Sequence, residues 1–178
     1  MFAATPVGTL AGVIFTSLLV LAAVGDVRTR RIPNALIAVL AVLGIFYSAS
    51  YPVSVSGAVR GVEGVATALA CWLPFYVLGW LGAGDVKLFA AAGAWLGPAR
   101  AVEGSIIAAL LGALLAFMWM LRSRGVRNAV ETLGIAATLP KILSEPASSA
   151  GQVRSLPYGM AIAVGAIYAA WVPGLLLA

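Results

Sequence analysis

The stretch Gly79–Gly93, "GWLGAGDVKLFAAAG", decides how the chain is read, because it sets an aspartate and a lysine, Asp85 and Lys87, between two strongly apolar runs. Of 178 residues, 62% are apolar and 10% charged, against about 25% charged in an ordinary soluble domain. Such a chain cannot cover itself with water-soluble side chains, so the composition points to an integral membrane protein. Windows of about 20 apolar residues, the length that crosses a hydrocarbon core of about 30 Å, predict helices near 8–25, 33–51, 62–81, 86–97, 101–121 and 157–178. The expected fold class is all-α: a polytopic membrane helix bundle with six transmembrane helices, forming a single membrane-embedded domain over residues 1–178 with the lipid bilayer as its surroundings.

Charge supplies the topology. No Lys or Arg precedes the first span, while Arg28, Arg30 and Arg31 follow it at once, which fits a retained helix with its N-terminus outside better than a signal peptide. Six crossings from there put Arg28, Arg30, Arg31, Lys87, Arg122, Arg124, Arg127, Lys141 and Arg154 on the cytoplasmic side and leave Arg60 and Arg100 on the other. That asymmetry obeys the positive-inside rule. Removing the weak fourth span would throw Arg122, Arg124, Arg127 and Lys141 outside, so the span is kept. Residues 122–155 form the expected cytoplasmic loop, whose middle, "NAVETLGIAATLPKIL", alternates loosely enough to lie on the bilayer as an interfacial helix.

Much chemistry is excluded by what is missing. There is no histidine, and the one cysteine, Cys71, sits in an apolar run. A disulfide framework, a thiolate–imidazole pair, a Ser-His triad and a histidine-based metal site are all ruled out; no metal and no cofactor are expected. The net charge of +5 is spread between apolar runs instead of forming a basic face interleaved with aromatics, so it reads as topology and not as a nucleic-acid footprint.

The two aspartates of the chain, Asp26 and Asp85, stand at the ends of the first and fourth predicted spans. Two crossings separate them, so parity returns both to the cytoplasmic face. A carboxylate within hydrocarbon costs a few kcal/mol or more and tends to face a bundle interior or a water-filled cavity. From Val86 to Leu96 the run, apolar but for Lys87, has 11 residues, about 16 Å at 1.5 Å per residue. Either the helix extends into "GPARAVEG" or Asp85 begins below the membrane surface. Gly82 and Gly84 suit the second alternative as site-shaping residues, since irregular backbone at membrane depth is tolerated where it lines a protein cavity. Two carboxylates a few ångströms apart do not both ionise easily, which yields an acid and a base in one site. The charged member can take a proton from water attacking an amide while the protonated member polarises the carbonyl oxygen. The pair titrates as a unit, so neither role is assigned to one residue.

Each residue also has a plainer reading. Asp26 alone would be a solvated residue ending a helix, and the glycines would be packing residues, common between membrane helices. Lys87, two residues from Asp85, faces away on a regular helix and reads as an interface anchor, with substrate contact as the alternative. Pro33 and Asn34 begin the second helix, where proline is well tolerated, with a share in shaping the site as the alternative. Arg60 and Glu63 are spaced to pair on one face, and Trp72, Trp80, Trp95, Trp119 and Trp171 lie near predicted span ends or within packed helices, with interfacial anchoring as the default reading.

"GAGDVKLFAAAGAWLG", Gly82–Gly97, resembles the GxGD signature of membrane aspartic peptidases, and its continuation is similar to that of the type IV prepilin leader peptidases. Upstream, "DVRTRRIPN", Asp26–Asn34, is similar to the other aspartate motif of that family, and "LPYG", Leu156–Gly159, resembles the Pro-aromatic-Gly turn before its last helix. The resemblance implies an aspartic endopeptidase of the bacterial inner membrane, with catalytic Asp26 and Asp85 facing the cytoplasm. Its substrate would be a prepilin, carrying a short basic leader ahead of a hydrophobic helix and cut commonly after a glycine. The long bacterial form carries a cysteine-paired cytoplasmic domain associated with N-methylation; this chain resembles the short form of tight-adherence (Flp) pilus systems, so peptidase activity without methyl transfer is expected.

Two rival classes use the same residues. Paired intramembrane carboxylates also serve small proton- or ion-coupled transporters, but no repeat relates the two halves of the chain and the acids lie at one face. A non-enzymatic pilus-assembly scaffold would leave both aspartates incidental.

Overall fold

The computed structural model describes residues 6–50, 55–122 and 158–172. Among them run six helices and no strand: α1 Pro6–Thr29, α2 Asn34–Ser50, α3 Val55–Val77, α4 Ala83–Leu96, α5 Pro98–Arg122 and α6 Tyr158–Trp171. Two are long and apolar enough to cross a membrane, α1 over Val7–Thr29 and α5 over Pro98–Met118. Apart from Arg122, the expected loop 122–155 lies outside the described residues. Two compact units divide the rest: one takes in everything up to Gly112 together with α6, and the other holds the end of α5 from Ala113. Everything below concerns the first unit.

Helix ends follow from local chemistry. The expected third span runs to residue 81, yet α3 stops at Val77, because Gly79 takes a left-handed φ of 74°. The Gly79 N–H donates to Tyr76 O at 2.9 Å and the Trp80 N–H to Phe75 O at 2.9 Å, the paired bonds of a Schellman cap. The hydrophobic contact that accompanies such caps is present, with the Phe75 and Trp80 rings 6.1 Å apart. At the far end of α4 the single residue Gly97, φ 72°, ends one helix and starts the next: its N–H bonds Gly93 O at 2.9 Å and its carbonyl accepts from Ala101 at 2.9 Å. Pro98 then opens α5 where its missing N–H costs nothing.

The centre of the unit is α4. From Leu88 to Leu96 every side chain is buried, so this helix is apolar all round, as a rod enclosed by neighbours must be. At 14 residues it is about 21 Å long. On one side α3 approaches so closely that a Cβ on Gly64 or Gly93 would run into the other's carbonyl oxygen. On another, α2 is pinned by two bonds that its apolar sequence does not advertise: Ser48 Oγ donates to Ala94 O at 2.7 Å, and Trp95 Nε1 donates to Leu40 O at 2.7 Å. Gly44 admits the Trp95 indole, since a Cβ there would stand 2.6 Å from it. The antiparallel pair α1 and α6 completes the enclosure, joined by Trp171 Nε1 donating to Thr16 Oγ1 at 3.0 Å.

Two expectations are corrected. Trp72 and Trp95 are not interfacial anchors but core residues, 4% and 2% exposed; Trp95 lies between Phe15 at 5.3 Å and Tyr47 at 5.4 Å, while Trp72 bonds Ser105 Oγ at 3.0 Å. Their N–H groups find partners inside the bundle, which removes the need for an interface. Arg60 lies over Gly97, and the ion pair found among the described residues is Arg100–Glu103 at 3.5 Å. Arg100 also donates to Ala169 O at 3.1 Å and to Val172 O, satisfying carbonyls at the end of α6. Outward, by contrast, large apolar side chains such as Leu10, Val13, Phe46 and Leu110 stand exposed, on a scale that a water-facing surface rarely shows.

Candidate active site

Three helix ends meet where α4 begins. The sequence Gly82-Ala83-Gly84-Asp85 occupies the N-cap and the first three helical positions of α4. Gly82 brings no side chain to cap the helix, and Asp85 does that work from the third position, its carboxylate accepting a hydrogen bond from the Gly82 backbone N–H. This is the return half of a capping box, and it sets the carboxylate at the positive end of the helix dipole. The carboxylate is thereby held by its own helix.

Asp26 comes from the last turn of α1 and is buried, 9% exposed. Its Oδ2 accepts the N–H of Gly159, the second residue of α6, at 3.0 Å across 133 residues of sequence. Arg30, the residue just past the end of α1, lies within electrostatic reach. There α1 ends: Arg30 adopts a left-handed φ of 53° while its N–H still bonds Asp26 O at 2.8 Å. Asp26 and Asp85 are close enough for each charge to act on the other. The Tyr158 hydroxyl lies within electrostatic reach of Asp85, with its ring against Gly112 of α5, where a Cβ would stand 2.8 Å away.

Of the residues singled out from sequence, Asp26, Asp85 and Gly82 therefore come together. Gly84 faces the turn between α1 and α2, where a Cβ would meet Ile32 at 3.9 Å. Neither glycine is demanded by its backbone: Gly82 has an ordinary extended conformation, φ −76°, and a Cβ there would lie 3.4 Å from Asp85 Oδ2. What the missing side chain of Gly82 leaves is space beside the carboxylate. Lys87, Pro33 and Asn34 are all exposed; the Pro33 carbonyl starts α2 by accepting from Leu36 at 3.1 Å and Ile37 at 3.3 Å. Among the described residues no cluster of acidic, histidine or cysteine side chains could hold a metal ion. Sequence reasoning gave no site role to Tyr158 and Gly159, and its only signal for them was the tetrapeptide "LPYG".

Fold and site define a class: an all-helical chain with membrane-length helices in which two aspartates from different helices share one locus. The model of the type IV leader peptidase family matches residues 13–117, a stretch that includes both. The chain belongs to that family. Over 122 residues it is 34% identical to a prepilin leader peptidase/N-methyltransferase of Pectobacterium carotovorum subsp. carotovorum, an alignment covering 65% of this chain and 42% of the relative. The chain thus spans less than half of that relative's length. No solved structure matches it.

Proposed function

We propose that this chain is a membrane aspartic endopeptidase that removes the basic leader of type IV or Flp-type prepilins, using Asp26, Asp85 and one water. The observation that carries the reading is the meeting of two aspartates from α1 and α4 within reach of each other's charge, inside the stretch shared with the leader peptidases. Two carboxylates so placed do not both ionise easily, and the working form is the one in which they share a single proton. The ionised one draws a proton from water as it attacks the scissile carbonyl, and the protonated one donates to the carbonyl oxygen as charge builds there. When the tetrahedral intermediate collapses, the C–N bond breaks, the proton taken from water passes to the leaving amine, and the proton on the former carbonyl oxygen returns to the aspartate that gave it. The chemistry needs no metal and no histidine.

Topology supports the substrate. With six spans and the N-terminus outside, both aspartates lie at the cytoplasmic face, where a prepilin anchored by its hydrophobic helix carries its basic leader. Enzyme and substrate then meet laterally in the bilayer, and the open space at Gly82 admits an extended peptide to the carboxylates. Lys87, Pro33 and Asn34 flank that approach as candidate contacts.

Co-expression of the chain with a candidate precursor, followed by mass measurement of the precursor's N-terminus, tests the reading. Loss of the leader that requires both aspartates is the expected result. An intact precursor, or cleavage that persists in Asp26→Asn or Asp85→Asn, overturns it.

A further inference from the structure

The two carboxylates are held differently, and the difference assigns a role to a residue outside the matched stretch. Asp85 is tied within α4, to the N–H of Gly82 three residues earlier. Asp26 has no such local tie for its carboxylate; the donor to its Oδ2 comes from Gly159 at the start of α6. We propose that Gly159 is the positioning residue of Asp26, a role that rests on the peptidase reading above.

The Gly159 N–H belongs to the first turn of α6, where helix geometry leaves donors without an intrahelical acceptor. Given to an ionised carboxylate, such a bond is charge-assisted and strongly directional. It is also buried, so water does not compete for it. With Oδ2 engaged, Oδ1 is the oxygen left to exchange a proton at the reacting centre, whichever of the two roles Asp26 takes.

Space at this point is as specific as the bond. A Cβ on residue 159 would stand 2.7 Å from Asp26 Oδ2 and 3.0 Å from both Cβ and Cγ of the same side chain. Every residue but glycine therefore pushes the carboxylate off its donor. Because α1 and α6 run antiparallel and meet again at Thr16 and Trp171, the whole length of their contact sets the height at which Gly159 meets Asp26.

The test compares Gly159→Ala with Gly165→Ala in the full chain, by steady-state prepilin cleavage and thermal melting in detergent. Gly165 lies six residues further along α6, where a Cβ would stand 2.7 Å from Ala108 Cβ and from Gly104 O, so it reports the cost of crowding the same helix. Gly159→Ala should lower kcat about a hundredfold, the scale of losing one well-placed donor at a reacting group, with KM within about twofold. Gly165→Ala should lower the melting temperature while keeping kcat per folded molecule. The bond is also read without altering Gly159: in Asp26→Asn the Gly159 amide proton should move upfield. Should Gly159→Ala fail to fold, that resonance decides the matter, and an unmoved signal overturns the role. Near-wild-type kcat in Gly159→Ala, or losses in both glycine variants that merely track the folded fraction, overturns it as well. A wild-type chain that cleaves prepilin and is silenced by Asp26→Asn keeps the peptidase reading even if Gly159 fails; a wild-type chain that cleaves nothing removes both.

Discussion

The two ends of α4 use the same amino acid in opposite ways. Toward its C-terminal end Gly93 lies against Gly64 with no room for a methyl group, while Ser48 and Trp95 bolt α2 to the same turn. At its N-terminal end Gly82 and Gly84 have room to spare, and a Cβ on either would find only ordinary contacts. One end is closed by packing and the other left open beside a carboxylate. A rod fixed at its closed end carries the Asp85 carboxylate at the open one, the arrangement that the proposed peptidase site needs if its first turn is to stay accessible to a peptide.

The sharpest way to break this comparison is at the open end. Asp85→Asn and Asp26→Asn should each reduce cleavage at least about a hundredfold, since either removes half of an acid–base pair, while melting behaviour in detergent stays that of a folded bundle. EDTA should leave wild-type cleavage unchanged; zinc-restored activity after chelation would contradict the two-carboxylate chemistry. At the closed end Gly93→Ala should cost about 3 kcal/mol, the upper range for forced overpacking, because the obstacle is backbone and cannot rotate away. Folded yield should fall, and activity per folded molecule should not. Ser48→Ala is gentler: it deletes one buried bond to Ala94 O, worth about 1 kcal/mol, and a melt in detergent would register it. Smallest of all is Gly82→Ala, for which stability should stay within about 0.5 kcal/mol and the change should appear as a rise in KM. A Gly82→Ala protein that fails to fold would erase the contrast between the two ends.

The sequence showed the helices more clearly than their boundaries or their partners. Each of the six described helices overlaps a window that hydropathy alone marks out, because apolar length is a local property. The stop at Val77 instead of residue 81 was written in Gly79 and Trp80, but only as a cap geometry that hydropathy ignores. Asp26 and Asp85 were singled out together by parity, an expectation that needs no contact information. Gly159 was not, since its part depends on a bond to a residue 133 positions away. Trp95 misled for a related reason: an indole in an apolar chain reads as an anchor until a carbonyl such as Leu40 O is seen to satisfy it inside.

The tryptophans also give the molecule optical probes of its own. Trp72 and Trp95 are shielded by aromatic neighbours, whereas Trp80, 58% exposed, sits in the short link that leads from α3 into Gly82. A variant keeping Trp80 as its single indole would place a fluorophore five residues ahead of Asp85. Its emission should be quenched readily by soluble acrylamide, and a prepilin leader entering the site should shield it. Emission from a chain keeping only Trp95 should ignore the substrate and change only when the bundle melts. The same cuvette would then separate occupancy from unfolding.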